Sequence, residues 1–591
     1  MKSFLKTVLA VLVGLFLAGF LSLFFIIGLI GAIAESEPIY VNKHSVLVVD
    51  LSKNLADKAS AKPWMRMNWK SLDIPYQGTL YETVQAIEYA ADDENIDGIM
   101  LYADELNMSI NVADELRRAI ATFKETGKFV YAYAGNYDQL PYFMASVADS
   151  VFLHPSGEML WRGLSSQNFY LKDALAKFGI EPQIIRHGKY KSAVEPFMEN
   201  EMSPANREQI ERYLGSMWDY ISSTVASSRH LTLEKMHDLA NNQLMFLAQE
   251  AQEAGLVDRL LYKDQLDTLL RASTDTDEDD AISTIRLDSY VSYVNAQEHL
   301  DLNREKIALV YADGEINDSD ESDDEIGGYA YAKIFEELRK DEKIKAVVLR
   351  VNSPGGSAFA SDVMWRELEL LKKEKPLIVS MGQYAASGGY YISAPADAIV
   401  ANPLTVTGSI GVFGMYFTYG KLLQDKLAIH PKVVNTNAYA DFGSVFRPMT
   451  EFERKTILRS IEHVYADFLK CVALGRGKTT ETIDSIGQGR VWSGVDALEL
   501  GLVDELGTLE DAIALAAERA GCADNYRLSV YPKGEEDFMA QMFNQFASAK
   551  VSLLRALSPI PDAEQQFVDD LERLLSKRGV RAEIPYRIDI R

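Results

Sequence analysis

Ile96-Asp-Gly-Ile-Met-Leu-Tyr-Ala103 and Ile344-Lys-Ala-Val-Val-Leu-Arg-Val351 are one apolar pattern met twice, at an offset of 248 positions. The same offset pairs Phe129-Val-Tyr-Ala-Tyr133 with Leu377-Ile-Val-Ser-Met381, Ala148-Asp149 with Ala396-Asp397, and His154-Pro155 with Asn402-Pro403. After one residue of slippage, Ala176–Pro182 matches Asp425–Pro431, and Gly255-Leu-Val-Asp258 echoes Gly501-Leu-Val-Asp504. A near-constant offset over that length is an internal duplication. Within each copy, short apolar, β-branched runs alternate with helical spacing, as in Val363, Met364, Leu368 and Leu371. Buried strands alternating with helices predict parallel β-α-β crossovers, so the fold class is α/β in tandem duplicate.

Working outward, the chain divides into residues 1–36, a first α/β repeat at 45–270, an acidic linker at 271–303, a second repeat at 304–525 and a C-terminal extension at 526–591. The N-terminus carries Lys2 and Lys6 before an uncharged stretch from Thr7 to Ala34. As a helix that stretch is about 40 Å long, more than the hydrocarbon core of a bilayer. It predicts one transmembrane anchor with a cytoplasmic N-terminus and the rest of the chain on the other side. Acidic runs at Asp275–Asp280 and Asp318–Asp324 read as solvated loops, and residues 567–575 as a short amphipathic helix. The formal net charge of −26 argues against nucleic acid as a partner. Cys471 and Cys522 fit no metal-ligand spacing and read as small buried residues, with one disulfide open to them in an oxidising compartment.

Chemistry concentrates in the second copy. Asn352-Ser-Pro-Gly-Gly-Ser357 follows one predicted strand, and Ala385-Ala-Ser-Gly-Gly-Tyr390 follows the next and opens a helix. A strand-to-helix turn exposes a serine hydroxyl, here Ser387, and aims free backbone N–H groups at one point. Acyl transfer needs that: a nucleophile beside donors for the developing oxyanion. Gly388 N–H is one such donor, and Gly355 or Gly356 supplies the other. Glycines at these positions also suit plain tight turns, but two such turns at strand ends of one sheet point to a site. The first copy places Gln139, Leu140 and Pro141 where the second has Ser387, Gly388 and Gly389, so it keeps the scaffold without the nucleophile.

A serine nucleophile needs a base. His430 and His463 lie beside neither glycine turn. The first copy offers Gly188-Lys-Tyr-Lys-Ser-Ala-Val-Glu-Pro-Phe197, with Lys191 and Lys189 as rivals and His187 as a third candidate. A lysine acts as base only when neutral, and burial lowers its pKa towards that condition. Lys191 aligns with Ala440, so each copy lacks what the other has.

Over about residues 1–525 the sequence resembles the signal peptide peptidase A (protease IV) family, peptidase family S49, in its long double-repeat form. The motifs that carry the likeness are Tyr190-Lys-Ser-Ala-Val-Glu-Pro196, Asn352–Ser357, Ala385–Gly389 and Thr407-Gly-Ser-Ile-Gly411. The resemblance implies a crotonase/Clp-protease-like superfold, Ser387 as nucleophile, Lys191 rather than Lys189 as general base, and Ser409 as the hydroxyl that orients the lysine. It also implies a membrane-anchored endopeptidase, facing the periplasm from the bacterial inner membrane. This enzyme would degrade hydrophobic peptides such as signal-peptide remnants, as a homotetramer, with no cofactor or metal. Two rival readings remain: a crotonase-type acyl-CoA enzyme, which would not need the serine–lysine pair, and a non-catalytic membrane scaffold.

Overall fold

The computed structural model describes Gly14 and residues 39–58, 78–297, 304–322, 325–523, 525–533 and 580–583. The expected anchor at 1–36 (Gly14 apart) and the helix expected at 567–575 lie outside the described residues. No helix among the described residues is long and apolar enough to cross a membrane.

Each copy is built on a parallel sheet. In the first copy, Arg259–Leu260, Ser150–Leu153, Phe129–Ala134, Ile96–Tyr102, Ser45–Asp50 and Thr284–Arg286 lie side by side in that order. In the second, Val406–Gly408, Leu377–Ala386, Ile344–Ser353, Glu305–Asp313 and Tyr526–Tyr531 do the same, with Ala398–Ala401 also paired to Leu377–Ala386. The strands are largely apolar over their centres, as expected of a sheet covered on both faces. Val347 to Leu349 and Ile378 to Val379 are wholly buried. The helices start where the sequence supplies a cap. Ser109 caps Ile110–Glu125, Ser357 caps Ala358–Lys372, and Thr450 with Glu453 forms a capping box on Glu451–Arg476.

The duplication reaches individual hydrogen bonds. Tyr142 Oη donates to Leu256 O at 2.6 Å, and Tyr390 Oη to Leu502 O at 2.7 Å. Asp258 accepts from Val151 N at 2.7 Å as Asp504 accepts from Ile399 N at 2.8 Å. Arg229 pairs with Asp258 as Arg476 pairs with Asp504. The copies diverge at one place that matters. Glu181–His187 is a strand in the first copy, whereas the corresponding stretch of the second, around residues 429–437, is exposed and forms none.

That unmatched strand joins the copies. Glu181–His187 pairs antiparallel with Val412–Thr418 of the second copy over its whole length, from Val412 opposite His187 to Thr418 opposite Glu181. A second junction is buried and charged. Arg350, from the sheet of the second copy, meets Asp57 at 2.8 Å and Glu115 at 2.7 Å from the first. Glu115 also accepts from Leu509 N at 2.8 Å, and burial pushes its carboxyl up to about 7 against the pull of Arg350. The segment 271–303 adds the strand Thr284–Arg286 to the first sheet, and the segment beyond 525 adds Tyr526–Tyr531 to the second. Asp275–Asp280 forms exposed turns. Cys471 and Cys522 are both buried and both free, so the open disulfide is not made.

Candidate active site

Strand Leu377–Ala386 ends against Val406–Gly408, with Ala386 opposite Gly408. Ser387 follows with φ +57° and ψ −115°, and Gly388–Ser393 turns into helix immediately after it. A non-glycine residue at positive φ is strained, and strain of this kind collects at functional turns. The bend is held by Ser387 N donating to Gly408 O at 2.8 Å and by Tyr391 N donating to Ser387 O at 2.9 Å. Small residues are needed because the helix presses on the neighbouring strand. A Cβ on Gly389 would lie 2.7 Å from Ser353 O. The result is a hydroxyl raised at a strand end, yet fully buried.

Lys191 reaches it from the other copy. Strand Glu181–His187 ends at Gly188, whose φ of +107° reverses the chain. Lys191 then opens a short 3₁₀ turn, Ser192–Val194. Its side chain is fully buried, with Nζ 2.7 Å from Ser387 Oγ, 3.1 Å from Ser409 Oγ and 3.2 Å from Ser409 O. Lys189, one turn position away, is exposed and lies over the Tyr190 ring. The His187 ring packs against Tyr465 at 4.2 Å between centroids. The structure thus brings Ser387, Lys191 and Ser409 together, with Lys189 and His187 turned to other contacts.

Ser409 sits at φ +51° and donates its amide to Arg490 O at 2.7 Å. Its hydroxyl donates to Gly489 O at 3.4 Å. Lys191 Nζ thus meets both oxygens of Ser409 and the Ser387 hydroxyl at once.

The glycines divide. Gly388 N–H belongs to the first helical turn, where amides have no intrahelical partner. Gly355 instead donates to Ser353 Oγ at 3.2 Å. Gly356 stands opposite Ile316, where a Cβ would lie 1.9 Å from Ile316 O.

Sequence reasoning missed the segment that braces the lysine. Gly489, at φ +82°, lies so close that a Cβ there would be 2.6 Å from Lys191 N, Cα and Cβ. Around it, Tyr190 N donates to Gln488 O at 2.9 Å and Gly489 N to Ile410 O at 2.7 Å. Gln209 completes the frame: its Nε2 donates to Tyr190 O and Ser192 Oγ, and its Oε1 accepts from Val491 N. The signal available was the Gly487-Gln-Gly489 run before a short strand. Nothing local to it points to a lysine some 300 residues earlier.

The family model described as "Peptidase family S49" matches residues 122–277 and 369–523, one stretch in each copy. Protease 4 of Haemophilus influenzae is 38% identical over 458 residues, covering 75% of this chain and 74% of that protein. Protease 4 of Salmonella typhi is 36% identical over 490 residues, covering 80% and 78%. A chloroplastic serine protease of Arabidopsis thaliana, SPPA, is 33% identical over 497 residues, covering 83% and 71%. The chain therefore belongs to peptidase family S49, and it is a serine protease.

Proposed function

We propose that the protein is an endopeptidase with a Ser/Lys dyad, Ser387 as nucleophile and Lys191 as general base, acting on hydrophobic peptides such as signal-peptide remnants. The observation that carries this reading is the 2.7 Å approach of Lys191 Nζ to Ser387 Oγ, both buried and contributed by different copies. Neutral Lys191 takes the Ser387 hydroxyl proton as Oγ attacks the peptide carbonyl. Gly388 N–H holds the oxyanion, joined by Gly355 or Gly356 once its amide is released. The C–N bond breaks and the leaving amine takes the proton from Lys191. Water then attacks the acyl ester, Lys191 receives its proton, and Ser387 leaves with that proton to restore the resting state. Ser409 keeps the amine lone pair aimed at Ser387 throughout. An acyl-CoA enzyme on this scaffold would have no use for a lysine held on the serine.

The peptide substrate follows from the family, and the positively flanked apolar stretch at the N-terminus supports action near a membrane. On the same grounds we infer the crotonase/Clp-like superfold, a single-pass inner-membrane anchor at 1–36, a periplasmic catalytic unit and a homotetramer. The test is hydrolysis of a short apolar chromogenic peptide by wild type, Ser387→Ala and Lys191→Ala. Both variants should lose at least about 1,000-fold in kcat, since members of such a unit fail together. Turnover by either variant near the wild-type rate, with an unchanged melting temperature, refutes the assignment.

A further inference from the structure

One side chain of the second copy touches both halves of the frame around Lys191. Arg490 precedes the strand Val491–Ser493, which pairs with Val406–Gly408, Val491 standing opposite Gly408. The Arg490 carbonyl accepts the Ser409 amide at 2.7 Å. The guanidinium crosses to the first copy. Its Cζ lies over the Tyr190 ring, 4.7 Å from the centroid, and over the Trp492 ring of its own copy at 4.3 Å. Nη1 donates to Glu208 Oε1 at 2.9 Å and to Tyr190 Oη at 3.3 Å. Tyr190 Oη in turn donates to Glu208, 3.2 and 3.1 Å from its two carboxylate oxygens. Trp492 is fixed by its own Nε1, which donates to Ile486 O at 2.9 Å.

A cation between the copies can be plain glue, and the junction contains such a case. Arg212 lies one helical turn beyond Glu208 on Pro204–Ser228 and pairs with Asp496 of the second copy at 2.5 Å. Among the described residues its guanidinium bonds to Asp496 and to neither Tyr190 nor Ser409. Arg490 differs in what its two ends hold. Its main chain holds Ser409, on whose two oxygens Lys191 Nζ rests. Its side chain holds Tyr190, the residue before Lys191. One residue thus spans the gap between the lysine's backbone and the lysine's partner. Glu208 balances its charge, so the contribution is one of place rather than of field. Arginine suits this better than lysine, because a flat guanidinium stacks on rings and still presents an edge to a carboxylate. Its Nε is buried without an acceptor, so the ring faces, rather than a full set of hydrogen bonds, seat it.

We propose that Arg490 is a positioning residue for the reaction: stacked on Tyr190 and Trp492, it fixes Lys191 against Ser409 and couples docking of the two copies to assembly of the site. The inference rests on the Ser/Lys reading of that site. Arg490 acts through Tyr190 and Ser409 and takes no part in bond making itself. Without its guanidinium, Tyr190 loses the group that ties it to the second copy. The turn carrying Lys191 then loosens, and water gains access to Nζ. A solvated lysine moves back up towards its ordinary pKa, so less of it is neutral at a given pH. The loss falls on the chemical step and on its pH dependence, and KM is left as it was.

The experiment compares full-length wild type, Arg490→Met, Arg490→Lys, Arg212→Met and Lys191→Ala. For each, kcat and KM on a short apolar chromogenic peptide are measured as a function of pH, beside the melting temperature. Arg490→Met should lose about 10- to 100-fold in kcat at unchanged KM. The acid limb of its kcat profile, where Lys191 gives up its proton, should move up by at least about half a pH unit. Arg490→Lys keeps a cation for Glu208 but not the flat group on the rings. It should melt close to wild type, which makes it the deciding variant if Arg490→Met misfolds, and still show the lower kcat and the shifted limb. Arg212→Met leaves Asp496 buried without its cation, so it should lose melting temperature while kcat and the acid limb stay as in wild type. A kcat within about threefold of wild type in a folded Arg490 variant overturns the proposal. So does an equal loss in Arg212→Met, which would make any loosening of the junction sufficient. If Lys191→Ala itself turns over at the wild-type rate, the Ser/Lys reading fails, and the positioning role falls with it for that separate reason.

Discussion

Gly489→Ala is expected to disable the enzyme while leaving it folded. The new Cβ would sit 2.6 Å from Lys191 N, Cα and Cβ, against an ordinary contact of 3.4 Å or more, so one backbone must retreat by about 0.8 Å. Gly489 has little freedom to do so, because its amide is tied to Ile410 O and its carbonyl accepts from Ser409 Oγ. Lys191 must therefore move, and Nζ would draw back from Ser387 towards about 3.5 Å, beyond useful hydrogen-bond distance. A displacement near 1 Å in a reacting pair costs about 100-fold, or about 2.7 kcal/mol of activation free energy. The φ of +82° adds about 1–2 kcal/mol of backbone strain. Gly521→Ala serves as control, since it has a similar φ of +68° but nothing within 4 Å of the new Cβ. Both variants should lose a few degrees in melting temperature, and Gly489→Ala alone should lose kcat on a short apolar peptide. A Gly489→Ala enzyme within about threefold of wild-type kcat would refute the claim that this turn sets the lysine.

Ser409→Ala removes a partner of a nitrogen that becomes charged during turnover, so kcat should fall about 10- to 100-fold with KM unchanged, read from steady-state kinetics. Arg350→Met leaves Asp57 and Glu115 buried without their cation; it should cost about 3–5 kcal/mol in denaturant unfolding, and an unchanged midpoint would contradict the junction described above. Burial and the Glu115 charge push Glu510 up to about 8 from an ordinary carboxyl value of 4.5. The folded chain thus holds a proton that the unfolded chain has released, and stability drops as pH rises from about 4.5 to 8. Glu510→Gln should gain melting temperature relative to wild type across that window, and parallel curves for the two proteins would exclude the effect.

Much of this was legible in the sequence because it is local or periodic. The offset of 248 positions anticipates the paired sheets, and Ala385-Ala-Ser-Gly-Gly389 anticipates a strand-to-helix turn from five residues alone. The lysine was harder. Lys191 and Lys189 have nearly the same neighbours in sequence, and what separates them is burial by Gln488, Gly489 and Gln209, none of which is nearby along the chain. The bracing turn stayed hidden for the same reason. It is made by segments whose pairing depends on how the copies dock, and no periodicity within a segment encodes that. Arg350 gave no signal at all. A lone arginine in an apolar strand reads as an interruption until its two carboxylates are seen across the junction.

The separation of the proposed dyad has a consequence for how the enzyme is made. Ser387 lies 196 residues after Lys191. At about 5–20 residues per second, a growing chain carries its lysine for about 10–40 s before the serine has even been synthesised. The brace at Gly489 arrives later still. A chain halted, cut or misfolded at any earlier stage holds a lysine with no serine to activate. On the proposed Ser/Lys reading, proteolytic power is withheld until nearly the whole polypeptide has been completed and its halves have met.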